Sequence, residues 1–567
     1  MANMDRRSFV QGSALVAGGA ALAGLSGVAL ADEAPAAFKL PNDLTEDDVK
    51  ASCVELEPIT EFAAEETYDI VVVGAGVAGV PAILTAIEEG ATVGCLQKEE
   101  IVAANGYGES AIKKDASTMA GVYRWMEDFA KGDGWRINRD LFRFHIEHSE
   151  ETISWIVEKA REAGVADTIT GKTSGTVVYE DGQTAAIFEI SSTVGNQVIM
   201  LALADLAESK GAVFHYSTPA VQLVQAEDGT VTGVIGKQPD GSYIKLNAEK
   251  AVILAAGDYM NNDAMMDHYS RDLAGRYFML QKNRTGDGQI LGILAGARMV
   301  PPCHPHQVHG VIPFFMKAPL IALDPQGKRF MNEDVYMTSW NTVASYHYPQ
   351  GENTILYRFF DADYPEKYAD FMPVPPKAML DSCIDEDRPI TIYDFHHVMH
   401  RADTLEALCE EVGIPYEAAK ESIDRYNQLC DEGADNDFGV AGAKLRKIET
   451  APFYCIKDVL GLAAINAGFT TNDKYQAVDA QGNVIPHLYG AGVCADNICG
   501  GINWSMPGGC SNSHCISAGR YTVLDALGLE APTNPAKFDD VRDVFVDANG
   551  NCQWEVPETA AKAPDLW

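Results

Sequence analysis

Tyr68-Asp69-Ile70-Val71-Val72-Val73-Gly74-Ala75-Gly76-Val77-Ala78-Gly79-Val80-Pro81-Ala82 is the stretch from which the rest of the chain is read. Ile70 to Val73 form an unbroken apolar run, as in a strand buried on both faces of a parallel sheet. Gly74, Gly76 and Gly79 then open a helix of small residues running toward Gly90. Each glycine has a physical task in a dinucleotide site: a tight turn, close approach of backbone to a pyrophosphate, and close packing of helix on strand. The helix N-terminus adds unpaired N–H groups and the positive end of a dipole. A plain strand-turn-helix is the alternative reading, and position at a strand-to-helix switch favours the dinucleotide site.

Outward from this unit, Ala91 to Leu96 supply the next strand, at the spacing of a second Rossmann strand. Helical periodicity covers residues 138 to 163 and 194 to 210, and strands are expected over 211–220 and 221–224. A hairpin follows, turning at Asp228-Gly229 and Pro239-Asp240-Gly241. Ala251-Val-Ile-Leu-Ala-Ala-Gly-Asp258 reads as another buried parallel strand, and Thr285-Gly286-Asp287-Gly288 starts a helix ending near Gly296. From Pro301 the texture turns to His, Pro and aromatic residues, with helices at 403–413 and 415–431 and no βαβ rhythm until about Pro452. Leu488-Tyr-Gly-Ala-Gly492 then ends a strand, and Gly500, Gly501, Gly508 and Gly509 lead into a last helix at 513–527.

At 567 residues the chain is too long for one core. A hydrophobic share of 47% with 22% charged residues is that of a globular enzyme rather than a disordered chain. The net charge of −38 excludes nucleic acid as a partner, because phosphate backbones require basic surface. Asp5-Arg6-Arg7-Ser8-Phe9-Val10, a mild Ala/Gly/Leu/Val stretch and Ala29-Leu30-Ala31 resemble a twin-arginine export signal with its cleavage site. An uncleaved anchor is the alternative, disfavoured by the weak hydrophobicity of the stretch. Twelve cysteines in a chain this long do not make a disulfide scaffold. Cys494-x4-Cys499 and Cys510-x4-Cys515 match no common iron–sulfur spacing, and small buried cysteines are the preferred reading.

The ordered set Val73-Gly-Ala-Gly-Val-Ala-Gly79, Leu254-Ala-Ala-Gly257, Thr285-Gly-Asp-Gly288, Gly327-Lys-Arg-Phe-Met-Asn-Glu333 and Leu488-Tyr-Gly-Ala-Gly492 resembles the FAD flavoproteins related to fumarate reductase, flavocytochrome c and the 3-ketosteroid dehydrogenases. The likeness covers about residues 68 to 530. Exported, haem-free members are similar to flavin reductases of anaerobic gut Actinobacteria, cardiac glycoside reductase among them. The resemblance implies an α/β fold: a Rossmann-like FAD-binding domain in two sequence segments with an inserted α+β capping domain. The implied division is a signal peptide at 1–31, a flexible linker at 32–66, the FAD-binding domain at 67–301 and 455–530, the cap at 302–454, and a tail at 531–567. It implies FAD held by Gly74, Gly76, Val77, Ala78, Gly79, Gln97, Lys98, Asn105, Ala220, Val221, Ala256, Gly257, Asp287, Gly492, Val493, Gly508 and Gly509.

The departures bear on the substrate. Gln97 stands where the family usually has an acid, and can hydrogen-bond a ribose hydroxyl only more weakly than a carboxylate; Val493 stands where Glu is common. Fumarate reductases place a proton-donating arginine four residues after their Asn-Glu; here that position is Met337, preceded by Tyr336. Their His-Thr-Met-Gly-Gly and Asn-Arg-x-Gly-Gly stretches read Ala464-Ile-Asn-Ala-Gly468 and Asn503-Trp-Ser-Met-Pro-Gly-Gly509. A site without those cations should not hold a small dianion. The expectation is a reductase of an activated C=C bond, enone or acrylate type, in a larger and mostly neutral substrate. Tyr336 is the acid candidate, a tyrosine packing under the cap being the alternative, with Glu333 and His304 as further catalytic candidates and Trp504, Asn503 and Tyr259 at the substrate. A steroid-type dehydrogenase running in reverse, or a flavin module that only relays electrons, are the alternatives. His304 and His306 lack the ligands that would complete a metal site, so no metal is expected. Electrons are expected from an extracytoplasmic cytochrome or quinol-linked donor, since no haem motif or second dinucleotide fingerprint occurs.

Overall fold

A computed structural model of the chain describes residues 40–106, 108–130, 138–192, 195–273, 278–279, 281–309, 318–335, 340–348, 354–371, 380, 399–495, 498 and 509–532. The opening motif folds as its residues dictate. Ala64–Val73 is a strand whose last four residues are buried, and the helix Gly79–Glu88 follows the glycine turn. Around it lies an eight-stranded sheet in the order Gln476–Val478, Val484–Gly490, Tyr243–Leu254, Ala64–Val73, Val93–Leu96, Val213–His215. The pairs Ile70↔Val93, Val71↔Val252, Leu488↔Val252 and Cys95↔Phe214 are all parallel. Ala220–Gln225 and Val231–Lys237 join antiparallel, through the expected hairpin. The chain therefore returns after more than two hundred residues to lay Val484–Gly490 beside Tyr243–Leu254. This is the α/β, two-segment architecture that the motif order implied.

Arg139–Glu162, Gly195–Ser209, Asp287–Leu294, Leu405–Val412 and Tyr416–Glu432 are helices where periodicity placed them. The last helix, Cys510–Ala526, starts three residues earlier than expected because Gly509, at φ +81°, already makes its left-handed cap. Between the two nucleotide-binding segments, Ile321–Leu323, Ile355–Asp361, Phe453–Val459 and Met399–Ala402 form a separate antiparallel sheet. The helices Leu405–Val412 and Tyr416–Glu432 pack on it through Leu408, Val412, Ile423 and Leu429.

Two features were not read from the sequence. Gly108–Ile112, Thr184–Ser192 and Ile169–Val178 build a three-stranded antiparallel sheet beside the cleft. The segment from Pro41 onward, expected to be a flexible linker as far as residue 66, is folded against the nucleotide-binding part. Its helix Glu46–Lys50 carries a reciprocal Thr45/Asp48 capping box. Leu44, Val49 and Val54 are buried, and the Asn262 Nδ2 donates to the Asp48 carbonyl. Some of the acids that suggested a tether have structural partners: Asp48 caps the helix, and Glu55 receives Lys237 Nζ at 2.8 Å and the Tyr243 hydroxyl at 2.7 Å. Contacts divide the chain at Leu40/Pro41, and the described residues after that point form one unit. Among the described residues no helix is long and apolar enough to cross a membrane.

Candidate functional site

The C-terminal ends of the parallel strands open into a cleft with about 1010 Å³ of space between its walls, open solvent included. This is where doubly wound sheets bind ligands, because loops diverge there and helix N-termini point inward. Gly74 turns at φ +97°, and a Cβ there would come within 2.6 Å of the Ala255 carbonyl oxygen. A Cβ on Gly76 would meet the Ala103 carbonyl at 2.9 Å, and one on Gly79 would lie 1.8 Å from the Gly74 carbonyl. All three must be bare for the turn to close. The helix they start has no side-chain N-cap; its Val80 N–H bonds the Gly76 carbonyl and Pro81 has none, so the donors left for an anion are the N–H groups of the turn, Gly76 to Gly79.

Of the residues expected at the cofactor, Gly74, Gly76, Val77, Ala78, Gln97, Lys98, Asn105, Ala220, Ala256, Gly257, Asp287, Gly492 and Val493 line this one cleft. Gly79 and Val221 lie behind its wall. Gly509 packs its backbone against Glu109 without lining the cleft, and Gly508 falls outside the described residues. Gln97 differs from its expected role. Its Oε1 accepts from the Ala75 N–H (2.9 Å) and its Nε2 donates to the Ile101 carbonyl (2.8 Å), so the amide braces the glycine turn. Lys98 Nζ reaches Asp287 Oδ2 at 2.9 Å and Thr285 Oγ1 at 2.6 Å. Asp287 Oδ1 also accepts from the Cys53 N–H at 2.9 Å, which ties the N-terminal segment to the cleft. Asn105 Nδ2 donates to the Ala463 carbonyl at 3.1 Å, joining the two halves of the wall.

Three proposed reactive or substrate-facing side chains are placed otherwise. His304 is fully buried: its Nε2 faces the Val300 carbonyl at 2.8 Å and its Nδ1 the Tyr259 hydroxyl at 2.7 Å. Nε2 therefore carries the proton and Nδ1 accepts from Tyr259, leaving neither nitrogen for a substrate. Tyr259, expected as a flat wall for a ring, has no exposed surface, and Ser270 holds its hydroxyl from the other side. Glu333 receives both Arg329 Nε (2.9 Å) and Nη2 (2.7 Å) and the Ala322 N–H (3.1 Å). The same guanidinium reaches Asp435 Oδ2 at 2.7 Å. Burial works to raise the Asp435 carboxyl, but Arg329 and the Phe438 and Val440 N–H groups bring it down to about 2. Glu333 thus closes a buried ionic cluster within the inserted part. Tyr336, Asn503 and Trp504 lie outside the described residues.

The cleft also holds groups that sequence reasoning passed over: Asp258, Arg284, Gln307, Ser511, Asn512 and Cys515. Asp258 follows the Leu254-Ala-Ala-Gly257 turn at the end of strand Tyr243–Leu254 and accepts from the Met260 and Ile465 N–H groups. Burial raises its carboxyl to about 6 against the pull of Arg284 and those donors. Arg284 directly precedes the Thr285-Gly-Asp-Gly288 motif, so its neighbourhood was signalled although its side chain was not. Cys494, Cys510 and Cys515 are buried thiols, each pushed up to about 12 by desolvation, and Cys510 Sγ lies 3.0 Å from Ser110 Oγ. Among the described residues no group of His, Cys, Asp or Glu is gathered to hold a metal ion.

A family model described as an FAD binding domain matches residues 69–513. The chain is 27% identical over 492 residues to a vinyl phenol reductase of Lactiplantibacillus plantarum, covering 79% of this chain and 94% of that protein. It is 25% identical over 572 residues to a digoxin reductase of Eggerthella lenta, covering 89% and 94%. A flavocytochrome c3 fumarate reductase in its open conformation shares the fold, with a TM-score of 0.63 at 21% identity over 82% of this chain and 79% of that one.

Proposed function

The chain belongs to the FAD binding domain family and is an FAD-dependent oxidoreductase acting on CH–CH bonds, and on that premise we propose that it saturates an activated C=C bond, of enone or acrylate type, in a larger, mostly neutral or aromatic substrate. The residues fit the cofactor: three glycines that a Cβ would block, an uncapped helix N-terminus for a pyrophosphate, and a second segment that brings Gly492 and Val493 to the same cleft. When bound, FAD supplies a hydride equivalent for one carbon of the double bond.

The observation that carries the substrate class is the neutral wall around Asn105. Gln307, Ala463, Ala464 and Ser511 line the cleft there, with Ala464 in the stretch that corresponds to the histidine-bearing stretch of fumarate reductases. Amide and hydroxyl groups can orient a carbonyl or phenol, whereas two carboxylates would be desolvated there without compensation. The names of the two reductases, for a vinyl phenol and for digoxin, agree with this class.

The second carbon needs a proton. With Glu333 and His304 committed to internal partners, Tyr336 is the acid we assign: its hydroxyl protonates the α-carbon and is recharged from solvent. Electrons enter from an extracytoplasmic cytochrome or quinol-linked donor, and residues 1–31 carry the folded protein out by the twin-arginine route to a periplasmic or cell-surface location. The inserted part, about 302–454, acts as the cap over the substrate.

One anaerobic experiment tests these assignments together. Viologen-reduced protein is offered enones, acrylates, cinnamates and fumarate, in lysates and in intact cells given an impermeant viologen. The expected result is oxidation by a neutral or aromatic acceptor, in intact cells as well as lysates, and a rate at least about tenfold lower in Tyr336→Phe. Preference for fumarate overturns the substrate class, activity confined to lysates overturns export, and an unaltered Tyr336→Phe rate overturns the acid.

A further inference from the structure

FAD brings a pyrophosphate bearing two negative charges into a protein whose own net charge is −38. Three carboxylates already border the cleft, Glu99, Asp258 and Asp287. Lys98, one of the cations there, is paired with Asp287 at 2.9 Å. Arg284 is different. Its Nε donates to Gln281 Oε1 at 2.8 Å and its Nη2 to the Ala103 carbonyl at 3.4 Å, and no carboxylate of the described residues forms an ion pair with it.

Its position follows from what it touches. Nη1 lies 3.0 Å from where a Cβ would stand on Gly257, just past the end of strand Tyr243–Leu254. Ala103, on its other side, donates its N–H to the Ala75 carbonyl at 3.0 Å, and its own carbonyl is the group that would block a Cβ on Gly76. The guanidinium therefore spans the ends of two adjacent parallel strands, next to the glycine turn and its N–H groups from Gly76 to Gly79. Gln281 and the bond from the Arg284 N–H to Asn261 Oδ1 (2.9 Å) fix the direction of the side chain. Gly257, at φ +83°, leaves the space the guanidinium occupies.

We propose that Arg284 is the cation that holds the FAD pyrophosphate, working opposite the N–H groups of the glycine turn. A planar guanidinium matches phosphate oxygens two at a time, and in a partly desolvated cleft such bonds are stronger than neutral ones. It also offsets the repulsion that Glu99 and Asp258 impose on an incoming dianion. The proposal rests on FAD as the cofactor and concerns the phosphate end of that molecule, not its ring.

The test uses full-length protein, stripped of flavin and titrated separately with FAD and with riboflavin, which lacks phosphate. Arg284→Gln should weaken FAD about 10- to 100-fold, the size of a lost hydrogen bond to a charged group, and leave riboflavin binding unchanged. Arg284→Lys should retain part of the FAD affinity, and Lys282→Gln, at an exposed neighbour outside the cleft, all of it. Added salt should weaken FAD binding more steeply in the wild type than in Arg284→Gln. Equal FAD affinity in Arg284→Gln and wild type overturns the proposal, as does a parallel loss of FAD and riboflavin. A wild type that takes up no FAD overturns the cofactor assignment itself, which is a separate outcome.

Discussion

Glu109 sits on the strand beside the cleft with 3% of its surface exposed, and its Oε1 has no hydrogen-bond partner. Burial raises its carboxyl from 4.5 to about 7, against a smaller pull from the Asn196 amide. The folded-state value lies above the ordinary one, so the stability contributed by the protonated form is complete below about pH 4.5 and is lost as pH rises through about 7. Such a displacement corresponds to about 3 kcal/mol. Denaturant melts from pH 4.5 to 8 should therefore show the wild type losing about that much relative to Glu109→Gln. Parallel pH profiles for the two proteins would remove this account of Glu109. The sequence did not mark this residue, because an acid between Gly108 and Ser110 looks like loop polarity until the antiparallel pairing with Ile190 and the packing of Gly509 seal it in. The glycines at 74, 76 and 79 were legible for the opposite reason: their spacing at a strand-to-helix switch marks the turn within a few residues, although the carbonyls that crowd Gly74 and Gly76 belong to Ala255 and Ala103.

At the scale of elements, the buried cluster of Arg329, Glu333 and Asp435 joins the loop after Ile321–Leu323 to the segment following the helix Tyr416–Glu432. The guanidinium also lies 5.0 Å from the Tyr426 ring and 4.9 Å from the Phe438 ring. Breaking a buried pair leaves a charge without compensation, at a cost of about 3–5 kcal/mol. Glu333→Gln should accordingly lower the melting temperature while kcat per bound FAD stays near the wild-type value. A fall in kcat with stability intact would return Glu333 to the chemistry. The Gly-Lys-Arg-Phe-Met-Asn-Glu333 motif was legible as a motif, but its role was not, because Asp435 lies 106 residues beyond Arg329. Periodic helices were likewise readable from spacing alone. The segment 41–63 was not, since its burial depends on partners such as Gln222, Asn262 and Asp287 that sequence proximity does not reveal.

Across the whole molecule, the cleft is assembled from residues as far apart as Val73 and Cys515. Gly74 to Ala78, Gln97 to Glu99, Ala103 to Asn105, Ala255 to Asp258, Arg284, Asp287 and Ala491 to Val493 all border it, and the unfolded chain has no such arrangement. A ligand that binds only the folded form stabilises it by RT ln(1 + [L]/Kd), about 4 kcal/mol at a thousandfold excess over Kd. Because FAD would touch both sequence segments at once, that free energy is shared by elements from the first strand to the last helix. Addition of FAD to the flavin-free protein should therefore shift the melting of both segments upward together, and protect cleavage sites in residues 64–96 and 484–526 from protease to the same extent. The inserted sheet, which contributes no strand to the eight-stranded sheet, should gain less. Two separate transitions for residues 64–96 and 484–526, with only one responding to FAD, would show that the returning strand Val484–Gly490 and the opening glycine turn do not act as one binding surface.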